Sequence, residues 1–553
     1  TVEAAIPFST LRFDPNQDEQ SWGFQFSRRI RRKNEDTYWA PLARHELLHK
    51  MSRAGTITGF RGLRAGRNLS VKPYLSASRA SGSLEESGAG DSGFDGGFDV
   101  KWGVTPRLTL DGTLRTDFSQ VEVDQERVNL TRFSLFFPEK RDFFLENAGT
   151  FTLGDVTERN VRMGSSLREF TLFHSRRIGL DSDGLPIPIL GGGRLTGQAG
   201  KWGIGLMDMQ TESGGTRPAE NFAVARLRRN LGDIGDVGAV FINRQATGGA
   251  EAFNRSYGAD LNLRLLRNLS VNAYAAGTSD DGQGEDWAGR ASVSWRDALW
   301  DASAFVKQVG SDFAPGLGFV RRAGVRHGYA TVGGHPTPDL PRVQEVNPYG
   351  EISYVTDLNG LLLTREGSAG LDVAFLDGGS LSLAWANRFE RLEGDFAVRA
   401  GAVVPAGDYR FDEWSARYGS SSGRPFSASA SLTAGGFFNG DRTTLELSAL
   451  WRVNEHLALD LFGQTNRVDL PEASFDADVY GGRVSYAVST RLFLSTFVQY
   501  NAAAEELVSN VRLNFIHAPL SDLFLVYTER RDIAASRVQD RLLSLKVTRL
   551  FGF

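Results

Sequence analysis

Apolar and polar side chains alternate along most of the chain at a period of two. Segments 457–461 and 510–515 are clear cases, because leucine, valine or phenylalanine occupies every second position. This period places successive side chains on opposite faces of a β-strand. Segments of roughly ten such residues recur from about Leu69 onward, separated by Gly, Asn and Asp. The pattern therefore predicts an all-β chain whose strands each have one apolar face.

An apolar row along every strand requires a non-aqueous partner, which either a second sheet or a lipid bilayer could supply. A pair of soluble β-sandwiches is the first alternative. The segments number about 24 to 26 and show no blade-like repeat, which favours one closed sheet. We therefore predict a large antiparallel transmembrane outer-membrane β-barrel over residues 53–553, with its apolar side chains outward and its polar side chains toward the lumen.

The connections between the segments differ in length. Tight connections are predicted at 199–201, 230–233, 266–268 and 454–456. Longer polar connections are predicted at 279–286, 392–408 and 467–475. Short turns on one rim and long loops on the other are typical of bacterial outer-membrane barrels, in which both chain ends lie on the periplasmic side.

The last eleven residues, 543–553, alternate up to the carboxyl terminus and end in two aromatic side chains. They resemble a closing barrel strand, although Arg549 interrupts the pattern. Terminal aromatics also resemble the signal that the barrel-assembly machinery of Gram-negative bacteria recognises. We predict that the last strand closes on the first, and that Phe551 and Phe553 carry the assembly signal.

Composition narrows the classes of function. The chain has 62 Gly, 37 Phe and 10 Trp but only 4 Met and no Cys, which suits a turn-rich, aromatic β surface. No apolar run approaches the roughly 18 residues of a membrane-spanning helix. A net charge of −4, from 62 basic and 66 acidic residues, gives no indication of the excess positive charge that nucleic-acid binding requires. The lack of cysteine excludes thiol catalysis and cysteine-based metal sites.

Residues 117–149 interleave acids, bases and aromatics too closely for a strand in lipid, where a charge on the outer face costs about 2–4 kcal/mol. Pro138 also removes a donor from any strand ladder. The segment is therefore predicted to lie in the lumen or at a rim, within a plug or constriction covering about 118–168. The candidate solute contacts in it are Asp117, Gln120, Glu122, Asp124, Asn129, Arg132, Glu139, Lys140, Arg141 and Glu146.

Two interpretations of this segment remain open. In the first interpretation, the segment is a selectivity element whose polar groups bind a solute or ion. In the second it is a structural brace, in which the charged side chains of 139–146 pair among themselves and Phe136, Phe137, Phe143 and Phe144 form a small core. Either would fill a lumen that wall side chains alone cannot fill.

Five stretches, 28–35, 117–124, 128–133, 136–146 and 173–179, resemble a known family. Its members are outer-membrane proteins in which a periplasmic carbohydrate-binding domain of the family-nine type precedes a β-barrel domain of unknown function. The resemblance implies that residues 1–52 are a remnant of the β-sandwich sugar-binding module followed by a linker helix at Leu42–Met51. It also implies a link to glycans, without assigning a glycan site to residues of this chain.

Other chemistry has weaker support. His45 and His49, with Glu46 between them, have zinc-protease spacing, but they lie on a short stretch before an all-β chain. The acidic segments 181–184 and 280–286 could hold calcium through hard oxygens, although neither has a complete ligand series.

The sequence therefore predicts a non-enzymatic outer-membrane channel or translocation pore without a required cofactor. Its expected partners are outer-membrane lipid, the barrel-assembly machinery and either glycans or other envelope proteins, with no nucleic acid among them. The alternative is a permanently plugged barrel that anchors an envelope or surface assembly. A zinc hydrolase at His45 and His49 is a remote third hypothesis.

Overall fold

The computed structural model describes most of the chain. It covers residues 3–4, 6, 8, 11, 13, 17–30, 33–42, 48, 51–63, 68–82, 92–116, 124–154, 170–180, 186–214, 217–247, 252–266, 268–282 and 284–553. The linker helix predicted at Leu42–Met51 and the pair His45 and His49 fall largely or wholly outside these residues, as do residues 181–184. Within them, no helix has the length and apolar character needed to cross a bilayer.

Twenty-four antiparallel strands form one closed barrel of the outer-membrane type. The first twelve are β1 Leu69–Gly82, β2 Ser92–Thr105, β3 Leu108–Leu114, β4 Ile189–Ala199, β5 Trp202–Thr211, β6 Ala219–Asn230, β7 Gly235–Thr247, β8 Phe253–Leu265, β9 Leu269–Asp280, β10 Gly284–Arg296, β11 Trp300–Val309 and β12 Val325–Gly334. The others are β13 Val343–Asp357, β14 Leu362–Phe375, β15 Ser380–Leu392, β16 Gly407–Gly419, β17 Phe426–Phe437, β18 Gly440–Arg452, β19 Leu457–Asp469, β20 Ser474–Asp476 with Val479–Ala487, β21 Leu492–Asn501, β22 Glu506–Ala518, β23 Ser521–Asp532 and β24 Arg537–Thr548 with Phe551–Gly552.

Each strand pairs with its neighbours in sequence, and β24 pairs with β1 to close the sheet. The interruption at Arg549 does not end the last strand, because Phe551 resumes pairing opposite Val71 of β1. The predicted barrel is confirmed, and its 24 strands fall within the predicted range of about 24 to 26. The role of Phe551 and Phe553 as an assembly signal stays a prediction.

The barrel has two unlike rims. The chain-end rim carries the start of β1, the end of β24 and short connections such as 200–201, 231–234, 266–268 and 453–456. The opposite rim, which we call the insert rim, carries the longest connections, namely 115–188, 310–324 and 393–406. The predicted asymmetry between tight turns and long loops therefore matches the strand bounds.

Two predicted loops are wrong. Segment 279–286 is a tight hairpin, since β9 continues to Asp280 and β10 starts at Gly284 with Asp280 opposite Gly284. Segment 467–475 is also mostly strand, because β19 reaches Asp469 and pairs with Ser474. Polar side chains suggested loops here, but strands that project beyond the bilayer can carry polar residues on both faces.

The barrel begins at Leu69 rather than at residue 53. The strand Gly55–Arg61 pairs with Glu19–Phe24 in a separate two-stranded sheet. A second small sheet joins Ser27–Ile30 to Glu35–Tyr38. The assignment of residues 1–52 to a sugar-binding module stays a prediction.

The strand register separates an outer from an inner face. Leu445, Leu447 and Trp451 of β18 are all exposed, and they alternate with polar residues such as Glu446 and Ser448. Exposed leucine, tryptophan, tyrosine and valine side chains occupy the same face on most other strands. A continuous apolar outer surface of this extent marks a lipid-facing wall.

A charge on this outer face should destabilise the barrel. Leu545 of β24 points outward and is 42% exposed, so we expect Leu545→Arg to lower the free energy of unfolding in lipid vesicles by about 2–4 kcal/mol. Ala503→Arg, in the turn between β21 and β22, is the control and should change it by less than about 0.5 kcal/mol. Denaturant titration followed by tryptophan fluorescence measures both. Equal losses in the two variants would contradict the assignment of the lipid face.

Candidate functional site

The longest connection, residues 115–188 between β3 and β4, is the candidate functional site, and we call it the insert. It leaves the wall below the insert rim, because β3 has 7 residues where β2 has 14. Arg115 still donates its backbone N–H to the carbonyl of Leu190 at 2.9 Å. Residues 124–154 and 170–180 then contact inward-facing side chains of the wall, so the described parts of the insert lie inside the barrel.

An apolar core joins the insert to one arc of the wall. The insert contributes Phe144, Phe151, Leu153, Phe170, Leu172 and Ile178, all nearly inaccessible to solvent. The facing wall residues of β5, β6 and β7 are Met207, Met209, Phe222, Val224, Val240 and Ile242. The expectation of a polar inner face is wrong for this arc, because the insert replaces water as the neighbour of these side chains.

Gly205 of β5 lets the insert approach the wall. A Cβ atom at this position would lie 2.6 Å from Thr150 Cγ2 and 3.0 Å from Phe151 Cε1. Even the smallest side chain would therefore displace the short 3₁₀ turn Ala148–Phe151. The glycine is required here by packing.

Arg194 of β4 anchors the helical part of the insert, Asp142–Leu145. Its side chain is 2% exposed and pairs with Asp111 of β3 at 3.1 Å. It also donates to the backbone carbonyls of Phe143 and Glu146, the latter at 2.5 Å. Its guanidinium carbon lies 4.9 Å from the centre of the Phe143 ring. One buried cation thus satisfies backbone acceptors that no helix or sheet satisfies.

Arg141 holds two parts of the insert together. It forms a bidentate pair with Glu139 at 2.8 and 2.7 Å. It also donates to the carbonyls of Ser175 at 2.7 Å and Ile178 at 2.6 Å. Burial alone would raise the pKa of Glu139, but the hydrogen bonds and charge of Arg141 hold that pKa below its usual value. Glu139 therefore stays ionised inside the barrel.

The connection 310–324 is a second component of this interior. Phe319–Val320 pairs with Phe170–Thr171 of the insert. The backbone N–H of His174 donates to the carbonyl of Leu317 at 2.6 Å, and Phe313 packs against Phe170 with ring centres 5.0 Å apart. Sequence reasoning missed this element. Its signal was the apolar character of Phe313, Leu317 and Phe319.

The insert also reaches the far side of the barrel. Gln499 of β21 accepts from the backbone N–H of Glu126 at 2.9 Å and donates to the carbonyl of Asp124 at 3.1 Å. Arg132 pairs with Glu390 of β15 at 3.0 Å. Leu130 joins an apolar cluster formed by strand ends and the hairpin at 396–404. The described part of the insert thus crosses the lumen from β4 to β15 and β21.

Six of the predicted contact residues are charged and described, and each is held by protein groups. Asp124 pairs with Lys140 at 3.0 Å and with Arg176. Glu146 pairs with Lys101 of β2 at 2.5 Å, and the partners of Arg132, Glu139 and Arg141 are given above. The contacts of Asn129 with described residues are local, and its side chain donates to the carbonyl of Phe133 at 2.9 Å. Asp117, Gln120 and Glu122 lie outside the described residues.

These contacts revise the brace interpretation in detail. Among the acids and bases of 139–146, only Glu139 and Arg141 pair with each other in a salt bridge; the described partners of Lys140 and Glu146 lie elsewhere in the insert or in the wall. The four phenylalanines do not form one core either. Phe144 belongs to the main apolar core, whereas Phe136 packs against His174 and Phe319. A role for any of these residues in solute contact stays a prediction.

The acidic segment 280–286 is built into the wall. Asp280 accepts hydrogen bonds from the backbone of Gly282 and the side chain of Asn254, and Asp286 accepts from the backbone of Asp312 at 2.8 Å. In the part of the chain that the structure describes, no cluster of three metal-ligating side chains occurs. Calcium on the loops remains a prediction.

Comparison with family models matches residues 66–186 to a domain of unknown function, DUF5916. The matched range covers β1, β2, β3 and almost the whole insert. It supports the part of the resemblance that names a domain of unknown function, and it does not extend to a sugar-binding module. No curated protein matches the chain significantly.

Comparison with solved structures finds similarity to several receptors for siderophores. The siderophore receptor PirA of Pseudomonas aeruginosa has a TM-score of 0.42 and 8% identity, covering 90% of this chain and 83% of its own. A mutant of the ferric enterobactin receptor PfeA of the same organism has a TM-score of 0.45 and 9% identity, covering 90% of this chain and 82% of its own. The ferric yersiniabactin uptake receptor FyuA of Yersinia pestis has a TM-score of 0.40 and 10% identity, covering 94% of this chain and 85% of its own. At these values the likeness concerns the barrel and not a ligand.

Loss of Arg194 should release the insert. Arg194→Met removes the donor to two carbonyls and leaves buried Asp111 with only the more distant Lys101, at 3.7 Å, among its described partners, so we expect the insert to undock at a cost of about 3–5 kcal/mol. Limited proteolysis should then cut within 124–180 at least ten times faster. Arg417→Met is the control, since Arg417 points into the lumen but is 64% exposed. Unchanged cleavage in Arg194→Met would show that the anchor is dispensable.

Docking of the insert should weaken in acid through His174. Burial first, and then the charges of Arg177, Arg176 and Arg141, lower its pKa from 6.5 to about 4. The docked ring stays neutral while the undocked ring takes up a proton, so the stabilisation is complete above pH 6.5 and falls as pH drops toward 4. The loss amounts to about 3 kcal/mol.

Proteolysis of the insert across this pH range measures that effect. We expect faster cleavage at pH 4.5 than at pH 7 in the parent chain, with an acid-stable protease used at both values. His174→Gln removes the titrating group and should flatten the profile. A profile that is equally steep in His174→Gln would assign the acid sensitivity to other groups.

Proposed function

We propose that the protein is a non-enzymatic outer-membrane translocation channel whose lumen is narrowed by the insert. The observation that supports this is the unequal filling of the barrel. The apolar core of the insert contacts wall strands from β4 to β14. On the opposite arc, inward side chains of β16 and β18 near the chain-end rim are polar and solvent-accessible, including Arg417 and Glu446, which lie 3.6 Å apart. Nearer the insert rim the same arc has buried apolar side chains such as Phe437 and Val468.

A polar, hydrated inner surface is what a water-soluble solute requires. Ser429 and Ser448 continue this surface on β17 and β18 and share a hydrogen bond at 2.8 Å. Because both signs of charge are present among hydroxyls, a neutral polar solute suits the arc better than a strongly charged one. Glycans belong to that class, and the family resemblance favours them.

Chain topology supports an orientation. Outer-membrane barrels with an even number of strands place both ends in the periplasm. We therefore assign the chain-end rim to the periplasm and the insert rim to the outside. The insert would then act near the outer mouth, where residues 124–132 meet β15 and β21.

The contacts between Gln499 and residues 124–126 of the insert would act as a gate, and substitution of Gln499 tests this role. Gln499→Ala removes both hydrogen bonds to residues 124–126, which contribute about 0.5–1.5 kcal/mol each. We expect single-channel conductance in planar bilayers, or the open fraction, to rise at least about twofold. Gln464→Ala is the matched control, because Gln464 points inward on β19 and its described hydrogen-bond partner is Asn466, which is itself a wall residue.

The same recordings test the competing structural role. A chain shortened within 124–150 should conduct more than the intact chain. If neither the intact nor the shortened chain conducts, the channel proposal fails and a plugged anchor accounts for the fold. If Gln464→Ala opens the channel as much as Gln499→Ala, the gate is not at β21.

A further inference from the structure

The lipid-facing wall contains a groove over strands β9 to β13, with a volume of about 530 Å3. Its floor consists of small residues on adjacent strands. Ala275 lies opposite Gly289, and Ala291 lies beside them on β10. Gly328 continues the floor on β12. Because these residues have at most one side-chain carbon, the apolar outer surface is recessed here.

Larger side chains border the recess. Trp287 and Tyr354 stand on either side, and Val306 rises from β11 with 66% of its surface exposed. Gly328 faces open space, since a Cβ atom there would lie 4.0 Å from its nearest neighbour, the carbonyl oxygen of Tyr354. The recess is therefore an apolar trough that hydrocarbon can enter from the bilayer.

The end of the groove nearest the insert rim is polar. Gln308 lies opposite Arg326, and Arg326 lies opposite Thr356. The Nε of Arg326 donates to Oε1 of Gln308 at 2.9 Å. Considering the residues that the structure describes, no carboxylate lies within 4.0 Å of Arg326, so its positive charge is not neutralised.

A second arginine flanks the same end. Arg365 of β14 lies directly opposite Tyr354, and its Nη2 donates to Oδ1 of Asn387 at 3.1 Å. This partner is again an amide, and the described carboxylates all lie more than 4.0 Å away. Arg326 and Arg365 are two strand spacings apart and are offset by two residues along β13, which separates their Cα atoms by about 12 Å. Two cations thus stand where the apolar trough meets the polar boundary of the wall.

We propose that this groove binds a phosphate-bearing membrane lipid, with an acyl chain in the trough and its phosphate on Arg326 and Arg365. Guanidinium groups bind phosphate through paired N–H donors. The volume falls within the roughly 300–1,000 Å3 of small-molecule sites, and the charge favours a lipid over an uncharged apolar partner. The inference requires the barrel to span a membrane but does not require it to conduct.

Native mass spectrometry of the full chain in detergent tests the site. Phosphatidylglycerol is the probe, and diacylglycerol with the same chains is its uncharged counterpart. We expect phosphatidylglycerol to bind at least tenfold more tightly than diacylglycerol. Arg326→Gln should weaken its binding about tenfold, and Gly328→Leu, which fills the trough, should reduce it to the level of diacylglycerol.

Matched controls separate the groove from the rest of the wall. Arg229→Gln changes an outward arginine that lies over Trp202 near the chain-end rim, and Ala430→Leu enlarges an exposed outward alanine of β17, which lies opposite Leu447 and away from the groove. Both should bind the probe as the parent does. Heat-modifiable gel mobility confirms that every variant is folded before its binding is compared.

Three results would overturn the proposal. The first is equal binding of phosphatidylglycerol and diacylglycerol. The second is unchanged binding in both Arg326→Gln and Gly328→Leu. The third is full displacement by inorganic phosphate with no effect of Gly328→Leu, which would describe a site for a free anion. Conductance measurements are independent of all three.

Discussion

Closure of the sheet between β24 and β1 is the constraint on which the rest of the structure depends. A closed barrel of this strand number encloses an interior wider than its own side chains can fill. Water or additional chain must therefore occupy the lumen. The protein uses both, because the insert packs against much of the wall while inward side chains of β16 to β18 near the chain-end rim keep a polar, solvent-accessible surface. The apolar residues of β5 to β7 that point inward are a direct result.

Buried arginines follow from the irregular backbone of the insert. The described parts of the insert contain little helix or sheet, so they carry carbonyl groups that no ladder satisfies, and the burial of these groups is costly unless donors are supplied. Arg194 and Arg141 each supply several donors from one planar group. Each also packs on a phenylalanine ring, so the same side chain satisfies polar atoms and fills apolar space. Their acidic partners, Asp111 and Glu139, compensate the charge.

The strands were largely predictable because their signal is local. In 457–461, leucine at every second position indicates which face is apolar, and the structure places this segment on β19. The interior was less predictable because its contacts join distant segments. The pairing of Arg132 with Glu390 and the docking of 310–324 on the insert cannot be read from either segment alone. The hairpin at 279–286 was missed because aspartates at a strand end resemble those of a loop.

Contacts of the insert with opposite sides of the wall make residues 124–146 a crosspiece within the ring of strands. A ring held only by neighbouring strands can flatten into an oval with little change in its hydrogen bonds. Here Arg194 on one side and Gln499 on the other form hydrogen bonds with residues 124–146 of the insert. These contacts fix the distance between their strands. Movement of the insert must therefore alter the outline of the barrel. Such a change would alter the cross-sectional area that the barrel occupies in the plane of the membrane.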